Sequence, residues 1–354
     1  MHLNEFLELA VARRASDIHL KAGLPPMMRI DGMVIPSDLR PLTPSDTKQA
    51  IYSILSSDQK ERFESELDLD LSFTIEDLAR FRVNVYREQG MIGAVFRVIP
   101  LDILSIEALD LPEVTKSISE TRQGLILVTG VTGSGKSTTL AAMIDHINAN
   151  SHDHIITLED PLEFVHRPKK SILTQREVGN DTRSFAASLR AALREDPDVI
   201  LIGEMRDAET VSSALKAAET GHLVFSTLHT SDAVQTINRI INIFPLEHQD
   251  QVVYQLANVL TATVAQRLIP RSDGMGRVAV HEILINTPTV KDLIIRKELE
   301  EMYKAITAGS FDGMISMNQS LYHHFKNGFI TQEDALGYSD SPNELEQMMR
   351  GAFH

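Results

Sequence analysis

Short apolar runs alternate with segments of helical periodicity through the middle of the chain. Largely apolar runs lie at Leu125–Thr129, Val199–Ile202 and Leu223–Leu228, and helical periodicity follows each of them. Strands that are buried on both faces give such continuous runs, and strands that alternate with helices form parallel sheets covered by those helices. The predicted fold class is therefore α/β, with a parallel sheet at its centre.

The other elements of this region are predicted from the same two patterns. Strands are expected at His154–Leu158 and Arg277–Ile285. A long helical run is expected from Glu247 to Leu268, where Pro270 ends it. Further helices are expected at residues 138–148, 184–194, 208–220 and 234–243, and the pattern from residue 288 onward is mainly helical.

The first hundred residues show a different pattern. Polar and apolar positions alternate at Arg80–Arg87 and Ile92–Ile99, which is typical of antiparallel strands, and helical periodicity appears at Asn4–Arg14. The segment around Pro112 lacks a regular pattern. We therefore predict a small α+β domain at residues 1–100, a linker at 101–123, an α/β core at 124–285 and a helical C-terminal region at 286–354.

A glycine-rich loop lies between the first apolar run and its helix. Gly130, Gly135, Lys136 and Ser137 satisfy the GxxxxGK[S/T] pattern of phosphate-binding loops, in the strand, loop and helix context that the pattern requires. Backbone N–H groups of such a loop point at phosphate oxygens, its lysine neutralises the β- and γ-phosphates, and its hydroxyl binds Mg²⁺. The predicted nucleotide contacts are Gly130, Val131, Thr132, Gly133, Ser134, Gly135, Lys136, Ser137 and Thr138.

Composition narrows the class of protein. The chain has 354 residues and 43% hydrophobic content, enough to bury large cores, and its apolar runs are too short to span a membrane, so a cytoplasmic protein is expected. The absence of cysteine excludes disulfides and thiolate metal sites. A formal net charge of −15 opposes the binding of nucleic acid over most of the surface and disfavours a ring helicase.

Acidic side chains follow the predicted strands at the ends where parallel sheets bind ligands. Glu159, Asp160 and Glu163 follow one strand, and Glu204 follows the next. Hydrolysis of a γ-phosphate needs a carboxylate to orient or deprotonate water and an oxygen ligand to complete the Mg²⁺ shell. Glu204 is the stronger candidate for these roles. Glu159 and Asp160 stay open, because loop carboxylates also cap helices.

Histidines and arginines supply further candidates. His222 and His229 flank the strand Leu223–Leu228, where either could donate a hydrogen bond to the γ-phosphate or have a structural role. The loop itself supplies only Lys136, so another cation is expected, which a second subunit could provide. The arginines considered are Arg190, Arg194 and Arg206 near the strands, and Arg82, Arg87 and Arg97 in the first domain.

Four stretches of the chain read VTGVTGSGKSTTLAAMID, ITLEDPLEFVH, LRAALREDPDVILIGEMRDAET and TGHLVFSTLHTSDA. Together they resemble the Walker A, Asp box, Walker B and His box of the secretion ATPases, and within that family the PilT-type retraction ATPases of type IV pili. The resemblance continues through SDIHL near the start, RFRVNVYREQGMIGAVFRVIP before the linker and NQSLYHHFKNGFITQEDAL near the end. It therefore covers nearly the whole chain.

The resemblance implies a hexameric ATP-hydrolysing motor that drives pilus retraction and twitching motility. In such rings an amino-terminal, PAS-like domain packs on the RecA-like core of the next subunit. The implied partners are an inner-membrane pilus platform protein and a paralogous pilus ATPase, with no nucleic acid, and the implied location is the cytoplasm at the inner face of the inner membrane.

Residue roles follow by matching motif. Glu163 is implied as the general base, Glu204 as the organiser of Mg²⁺ and water together with Ser137, and His222 and His229 as the His box. The resemblance also implies phosphate contacts; the candidates are Arg82 and Arg97, with Arg194 and Arg206 as further candidates.

Two stretches depart from the family pattern. The family's AIRNLIRE reads TVKDLIIR at Thr289–Arg296, and its TFDQSL reads SMNQSL at Ser316–Leu321, with Asn318 in place of the acid. The family ties these stretches to retraction, so a second function stays open. It is an accessory ATPase similar to PilU-type paralogues, or a nucleotide-gated regulator, that binds ATP and modulates a partner pilus motor.

Overall fold

The computed structural model describes residues 3–30, 32–76, 78–99 and 102–351. The chain forms two compact units, Met1–Asp102 and Ile103–His354. The predicted boundary between the first domain and the linker, at residues 100 and 101, lies outside the described residues. Among the helices that are described, none combines the length and the apolar character needed to cross a membrane.

The first unit combines an antiparallel sheet with three helices. Its strands are β1 (Asp17–Leu20), β2 (Met27–Ile30), β3 (Met33–Pro36), β4 (Asp68–Ile75), β5 (Ala79–Glu88) and β6 (Met91–Ile99), and its helices are α1 (Leu3–Ala12), α2 (Pro44–Tyr52) and α3 (Ser57–Glu66). The strand order is β3-β2-β1-β6-β5-β4, and every neighbouring pair is antiparallel. This arrangement agrees with the α+β, PAS-like fold that was expected.

Alternation along β5 explains how this sheet is half buried. Phe81, Val83 and Val85 are buried in one core together with Phe63 of α3, whereas Arg82 between them is exposed. Side chains of a strand point alternately to the two faces of a sheet. One face therefore carries the apolar core under the helices, and the other face carries polar and charged side chains.

The second unit is built around a mostly parallel sheet. Its strands are β7 (Gly124–Thr129), β8 (His154–Glu159), β9 (Ile172–Glu177), β10 (Val199–Ile202), β11 (Leu223–Leu228), β12 (Leu260–Pro270) and β13 (Arg277–Ile285). The order is β13-β12-β7-β11-β10-β8-β9, and all neighbouring pairs are parallel except β12 with β13.

Helices cover both faces of this sheet. They are α4 (Val114–Ser119), α5 (Lys136–Asn150), α6 (Phe185–Ala192), α7 (Ala208–Glu219), α8 (Ala233–Asn242), α9 (Leu246–Val259), α10 (Pro288–Arg296), α11 (Met302–Ala308), α12 (Met317–Lys326), α13 (Gln332–Gly337) and α14 (Pro342–Met349). Leu125 and Leu127 of β7 pack with α7 and α9, whereas Ile126 and Val128 pack with α5 on the opposite face. The predicted α/β class with a helical C-terminal region is confirmed.

Two elements differ from the sequence prediction. The helix predicted from Glu247 to Leu268 is wrong beyond Val259, where α9 ends and β12 begins. Thr261, Thr263 and Val264 are β-branched and favour a strand, but β12 is buried on both faces, so its spacing does not exclude a helix. The edge strand β9 was not predicted, because its side chains are mostly polar or half-buried.

Candidate nucleotide site

The glycine-rich loop joins β7 to α5 and requires glycine at two positions. Gly130 and Gly135 have φ values of 144° and 90°, in the region that other residues rarely adopt. A Cβ atom on Gly130 would lie 2.4 Å from the carbonyl oxygen of Gln266, and one on Gly135 would lie 2.7 Å from Gln266 Nε2. Substitution would therefore push the loop away from β12.

Gln266 of β12 holds the loop against the helix that follows it. The side chain is buried, and its Nε2 donates to the carbonyl oxygen of Ser134 at 2.7 Å. The hydroxyl of Thr139 in α5 donates to Gln266 Oε1, also at 2.7 Å. Sequence reasoning missed this residue, because it lies in the segment that was predicted as a helix.

Lys136 is the first residue of α5 and points back into the loop. Its side-chain nitrogen donates to the carbonyl oxygens of Gly130 at 2.8 Å and Val131 at 3.1 Å. The residue is 9% exposed, and burial lowers its pKa, while the charges of Glu163 and Glu204 oppose that shift. The cation is therefore bound by the loop, and the charges of two predicted carboxylates act on it.

A cavity of about 440 Å³ opens in front of the loop, at the carboxyl ends of the parallel strands. Most of the predicted site residues line it, and Phe164, Phe185, Leu268 and Arg277 join them without having been predicted. Gly130, Val131 and Ser134 belong to the loop but do not line the cavity. The predicted residues that line it are Thr132, Gly133, Gly135, Lys136, Ser137, Thr138, Glu159, Asp160, Glu163, Glu204, Arg206 and His229.

Glu204 follows β10 and contacts two basic side chains. Its carboxylate lies 2.7 Å from Arg206 Nη2 and 3.2 Å from His229 Nε2. Burial by itself raises the pKa of Glu204, but Arg206 and His229 together bring it below the usual value. The group is therefore a carboxylate at neutral pH, and His229, which directly follows the neighbouring strand β11, lies beside it.

Glu159 is the last residue of β8 and Glu163 lies on the loop that follows, and the two have different surroundings. The backbone N–H of Glu163 donates to Glu159 Oε2 at 3.3 Å, so Glu159 helps to hold the loop that carries Glu163. Burial raises the pKa of Glu159 to about 7. Glu159 can therefore exchange a proton near neutral pH, while Glu163 faces Lys136.

Other predicted residues lie outside this cavity. His222 precedes β11, at the opposite end from His229, and its Nδ1 lies 2.9 Å from the carbonyl oxygen of Ala217. Arg194 is exposed and donates to the carbonyl oxygen of Arg190 at 2.9 Å. Arg82 and Arg97 belong to the first unit, where they are exposed cross-strand neighbours of β5 and β6.

A second cavity of about 280 Å³ lies beside the first. The two share Gly135, Thr138, Leu268 and Arg277 in their walls. Arg271 and Phe329 also line the second cavity, with the guanidinium carbon 5.4 Å from the ring centre. A ligand with a charged end at the loop and a flat apolar end could therefore occupy both cavities.

Known proteins resemble this chain over most of its length. A model of the family described as type II/IV secretion system protein matches residues 1–321. The chain is 48% identical over 345 residues to the type IV pilus retraction ATPase PilT of Pseudomonas aeruginosa, covering 98% of this chain and 100% of that protein. It is 41% identical over 350 residues to the type IV pilus ATPase PilU of the same organism, covering 99% of this chain and 92% of that protein.

A solved structure is also similar to this chain over nearly its whole length. The crystal structure of the pilus retraction motor PilT with bound ADP superposes with a TM-score of 0.92 at 49% identity, over 98% of this chain and 100% of that one. The similarity therefore extends through both units and includes the phosphate-binding loop.

Proposed function

Since the chain belongs to the type II/IV secretion system protein family, we propose that it is an ATP-hydrolysing motor that powers type IV pilus retraction as a homohexamer. The observation that carries this proposal is the grouping of Lys136, Glu163, Glu204 and His229 around one cavity at the phosphate-binding loop. Similarity to PilT through both units supports the mechanical role.

ATP fits the two adjoining cavities in one orientation. The phosphates lie at the loop, where backbone N–H groups and the first turn of α5 favour negative charge. Lys136 exchanges the carbonyl oxygens of Gly130 and Val131 for phosphate oxygens. The base lies in the second cavity, beside Arg271 and Phe329.

The residues present fit a Mg²⁺ ion. This cation prefers oxygen ligands and keeps several of them as water or phosphate, so one or two protein oxygens are enough. The Ser137 hydroxyl and the Glu204 carboxylate both line the cavity in front of the loop and would hold it. The ion would neutralise charge that develops on the phosphates.

The carboxylates have different roles in the hydrolysis of ATP. Glu163 accepts the proton of the attacking water, and Glu159 fixes the backbone of the Glu163 loop. Glu204 and His229 orient the water, and His229 also donates a hydrogen bond to the γ-phosphate. Arg206 adds positive charge. In the ring, Arg82 or Arg97 of a neighbouring subunit completes the charge at the phosphates.

The proposed place of action is the cytoplasmic side of the inner membrane, against a pilus platform protein and beside a paralogous pilus ATPase. A second function, an accessory ATPase that regulates a partner motor, is favoured by the departures in α10 and at Asn318. Both functions require nucleotide binding, but only the first one requires retraction by this protein alone.

One experiment separates these functions. The protein and its Lys136→Ala variant are each expressed in a strain that lacks its own retraction motor, and pilus retraction is measured in those cells. ATP turnover is measured on the two purified proteins. We expect retraction and turnover for the unaltered chain and neither for Lys136→Ala, because the triphosphate charge is left uncompensated. Turnover without retraction would assign the accessory role, and turnover by Lys136→Ala would refute the loop assignment.

A further inference from the structure

Gln266 is a buried side chain of β12 that contacts the phosphate-binding segment at two points. Its Nε2 donates to the carbonyl oxygen of Ser134, and its Oε1 accepts from the hydroxyl of Thr139, each at 2.7 Å. Gln266 is 3% exposed and Thr139 is 1% exposed, so water does not compete for these hydrogen bonds. The proposed ATP site gives Gln266 no part in binding the nucleotide.

The two contacts require a donor and an acceptor on one planar group. The Ser134 carbonyl oxygen can only accept, so the atom that faces it must carry a hydrogen. If the amide of Gln266 were turned over, its Oε1 would face the Ser134 oxygen, and two acceptors would repel each other. The hydroxyl of Thr139 donates to Oε1 and thereby holds the amide in the orientation that serves Ser134.

The hydrogen bond to Ser134 also sets the direction of the next N–H group. The peptide bond between Ser134 and Gly135 is trans. In a planar trans peptide, the carbonyl of one residue and the N–H of the next point in opposite directions. With the Ser134 carbonyl held towards Gln266, the N–H of Gly135 points away from this side chain.

This N–H group is available to a ligand. Gly135 directly precedes α5 and lines the cavity in front of the loop. Among the described residues, none accepts a hydrogen bond from the Gly135 N–H. The first N–H groups of a helix have no partner within the helix, and they bind anions where a site is open to them.

The local chain gives the Gly135 N–H little restraint of its own. Gly135 has a φ of 90°, and glycine adopts positive and negative φ values about equally readily. Rotation of the Ser134–Gly135 peptide would therefore meet little resistance from its own backbone. A contact from outside the loop is needed to keep the N–H in one direction, and Gln266 makes that contact.

We propose that Gln266 is a positioning residue for nucleotide binding, which holds the Ser134 carbonyl and so directs the Gly135 N–H at the β-phosphate. The inference rests on the proposed ATP site, in which backbone N–H groups of the loop bind the α- and β-phosphates. A hydrogen bond to a charged acceptor is about twice as strong as a neutral one, and a donor that is already oriented needs no rearrangement when the ligand binds.

The role is therefore specific for ligands that have a β-phosphate. Gln266 also borders the second cavity, where the base is placed, so the test must separate a phosphate effect from a base effect. AMP and ADP share the base, the ribose and the α-phosphate, and they differ in the β-phosphate. Displacement of a fluorescent ADP analogue from the full-length protein, with Mg²⁺ present, measures the affinity of both, including millimolar ones.

The first variant is Gln266→Met, which keeps an unbranched, neutral side chain of similar length and cannot donate. We expect it to bind ADP about tenfold or more weakly than the unaltered protein, with the affinity for AMP unchanged. The matched control is Gln249→Met. Gln249 Nε2 donates to the carbonyl oxygen of Phe244 at 3.0 Å, and Gln249 borders neither cavity of the nucleotide site. This control loses the same kind of hydrogen bond and should bind both nucleotides normally.

A second variant, Gln266→Glu, tests the hydrogen bond itself. An ionised glutamate cannot donate to Ser134, whereas a protonated one has an O–H for Ser134 and an oxygen for Thr139. Burial raises the pKa of a carboxyl group, so lowering the pH from about 8 to about 5.5 favours the protonated form. We expect Gln266→Glu to bind ADP more weakly than Gln266→Met at the higher pH and more tightly at the lower pH. All variants and the unaltered protein are compared at the same pH, which cancels the titration of ADP and of shared groups.

Thermal unfolding and AMP affinity show whether each variant folds. The recovery of Gln266→Glu relative to the unaltered protein as the pH falls does not depend on the methionine variant. Unchanged ADP affinity in Gln266→Met, an equal loss of ADP and AMP, or a Gln266→Glu variant that never exceeds Gln266→Met would each overturn the proposal. An unaltered protein that binds no ADP would instead refute the proposed ATP site, together with every role that rests on it.

Discussion

Glu204 and Glu163 approach the same cavity but are held differently. Glu204 contacts Arg206 and His229, whereas Glu163 faces Lys136 from a loop that Glu159 supports. A glutamine at either position keeps the shape and loses charge and basicity. The two carboxylates are therefore best compared by the same substitution.

We expect Glu163→Gln and Glu204→Gln to bind ATP and to turn it over about 100-fold to 10,000-fold more slowly than the unaltered protein. Nucleotide affinity and steady-state turnover are measured on each variant. Glu209→Gln, which removes an exposed acid paired with Arg190, is the matched control. Wild-type turnover in Glu163→Gln would transfer the role of base to Glu159, whose pKa is raised by burial to about 7.

Asn318 shows what a departure from the family pattern means locally. Its Nδ2 donates to Glu344 Oε2 at 3.0 Å and to the carbonyl oxygen of Ser341 at 3.2 Å. Its Oδ1 accepts from the Ser339 hydroxyl at 2.6 Å. The amide therefore ties α14 to α12, and an aspartate here would oppose the charge of Glu344. The sequence revealed the departure but not its partner.

We expect Asn318→Asp to lower the free energy of unfolding by about 1–3 kcal/mol and to loosen α14, because two donors are lost beside a carboxylate. Urea unfolding and hydrogen exchange in α14 measure both effects. Adding Glu344→Gln should restore most of the loss, since the new amide can donate to the introduced carboxylate in that double variant. Equal stability of Asn318→Asp and the unaltered chain would show that these hydrogen bonds contribute nothing.

At the scale of elements, the helix wrongly predicted over β12 limited how much of the site could be predicted. The loop residues, Glu204 and His229 were predicted because each lies directly after an apolar strand, at the end where parallel sheets bind ligands, and most of them line the cavity. Gln266 and Leu268 were missed because β12 was read as the end of a helix. Arg277 begins an edge strand with no motif around it, so no local signal marks it.

Glu282 of β13 is a buried carboxyl that links two elements. It is 5% exposed, and its Oε1 accepts from the backbone N–H of Ala233 at 2.9 Å, at the start of α8. Burial raises its pKa to about 7, with Asp232 and Asp340 adding to the shift and Arg267 opposing it. The folded protein therefore holds a proton that the unfolded chain releases above its ordinary pKa of 4.5.

This pKa makes the stability depend on pH in a defined direction. A raised carboxyl pKa contributes stability that is complete below about pH 4.5 and is lost as the pH rises through about 7. Glu282→Gln keeps an oxygen for Ala233 and cannot lose a proton. Relative to the unaltered protein, it should therefore gain at most about 3 kcal/mol of unfolding free energy between pH 5 and pH 8.

Urea unfolding at the two pH values gives this difference. The titration of Glu159 is present in both proteins and cancels in the comparison. Glu300→Gln, at an exposed position of the same unit, controls for the loss of one negative charge. A difference between Glu282→Gln and the unaltered protein that stays constant with pH would show that Glu282 is already ionised in the folded state.

For the molecule as a whole, the order of strands and helices predicted the fold class, but the sequence gives no contacts between subunits. The exposed face of the first unit carries a row of charges across its strands. Arg29, Asp17, Arg97 and Arg82 are successive cross-strand neighbours. Asp17 lies 2.9 Å from Arg97 and 3.8 Å from Arg29, so the one acid of the row is paired with two of its three cations. This row carries excess positive charge that a neighbour's phosphates could neutralise.

If Arg97 serves the site of a neighbouring subunit, two inactive variants should complement each other in mixed rings. Arg97→Ala subunits keep Lys136, and Lys136→Ala subunits keep Arg97. An interface therefore has both groups when an Arg97→Ala subunit supplies the phosphate-binding loop and a Lys136→Ala subunit supplies Arg97. In a random one-to-one mixture roughly a quarter of the interfaces are of this kind. We expect turnover well above that of either variant alone, approaching that fraction of the wild-type rate.

Two controls separate a shared site from damage to the fold. Arg62→Ala removes an exposed arginine of α3 that is paired with Glu66, and it should keep wild-type turnover by itself. Arg97→Ala leaves Asp17 with Ser16 and Arg29, so its unfolding midpoint should stay close to that of the unaltered chain. Subunit exchange is followed by fluorescence energy transfer between labelled variants. If mixed rings form fully and hydrolyse no more ATP than either variant alone, Arg97 lies outside the active site. A site shared by two subunits would regain activity at every interface that holds both Arg97 and Lys136.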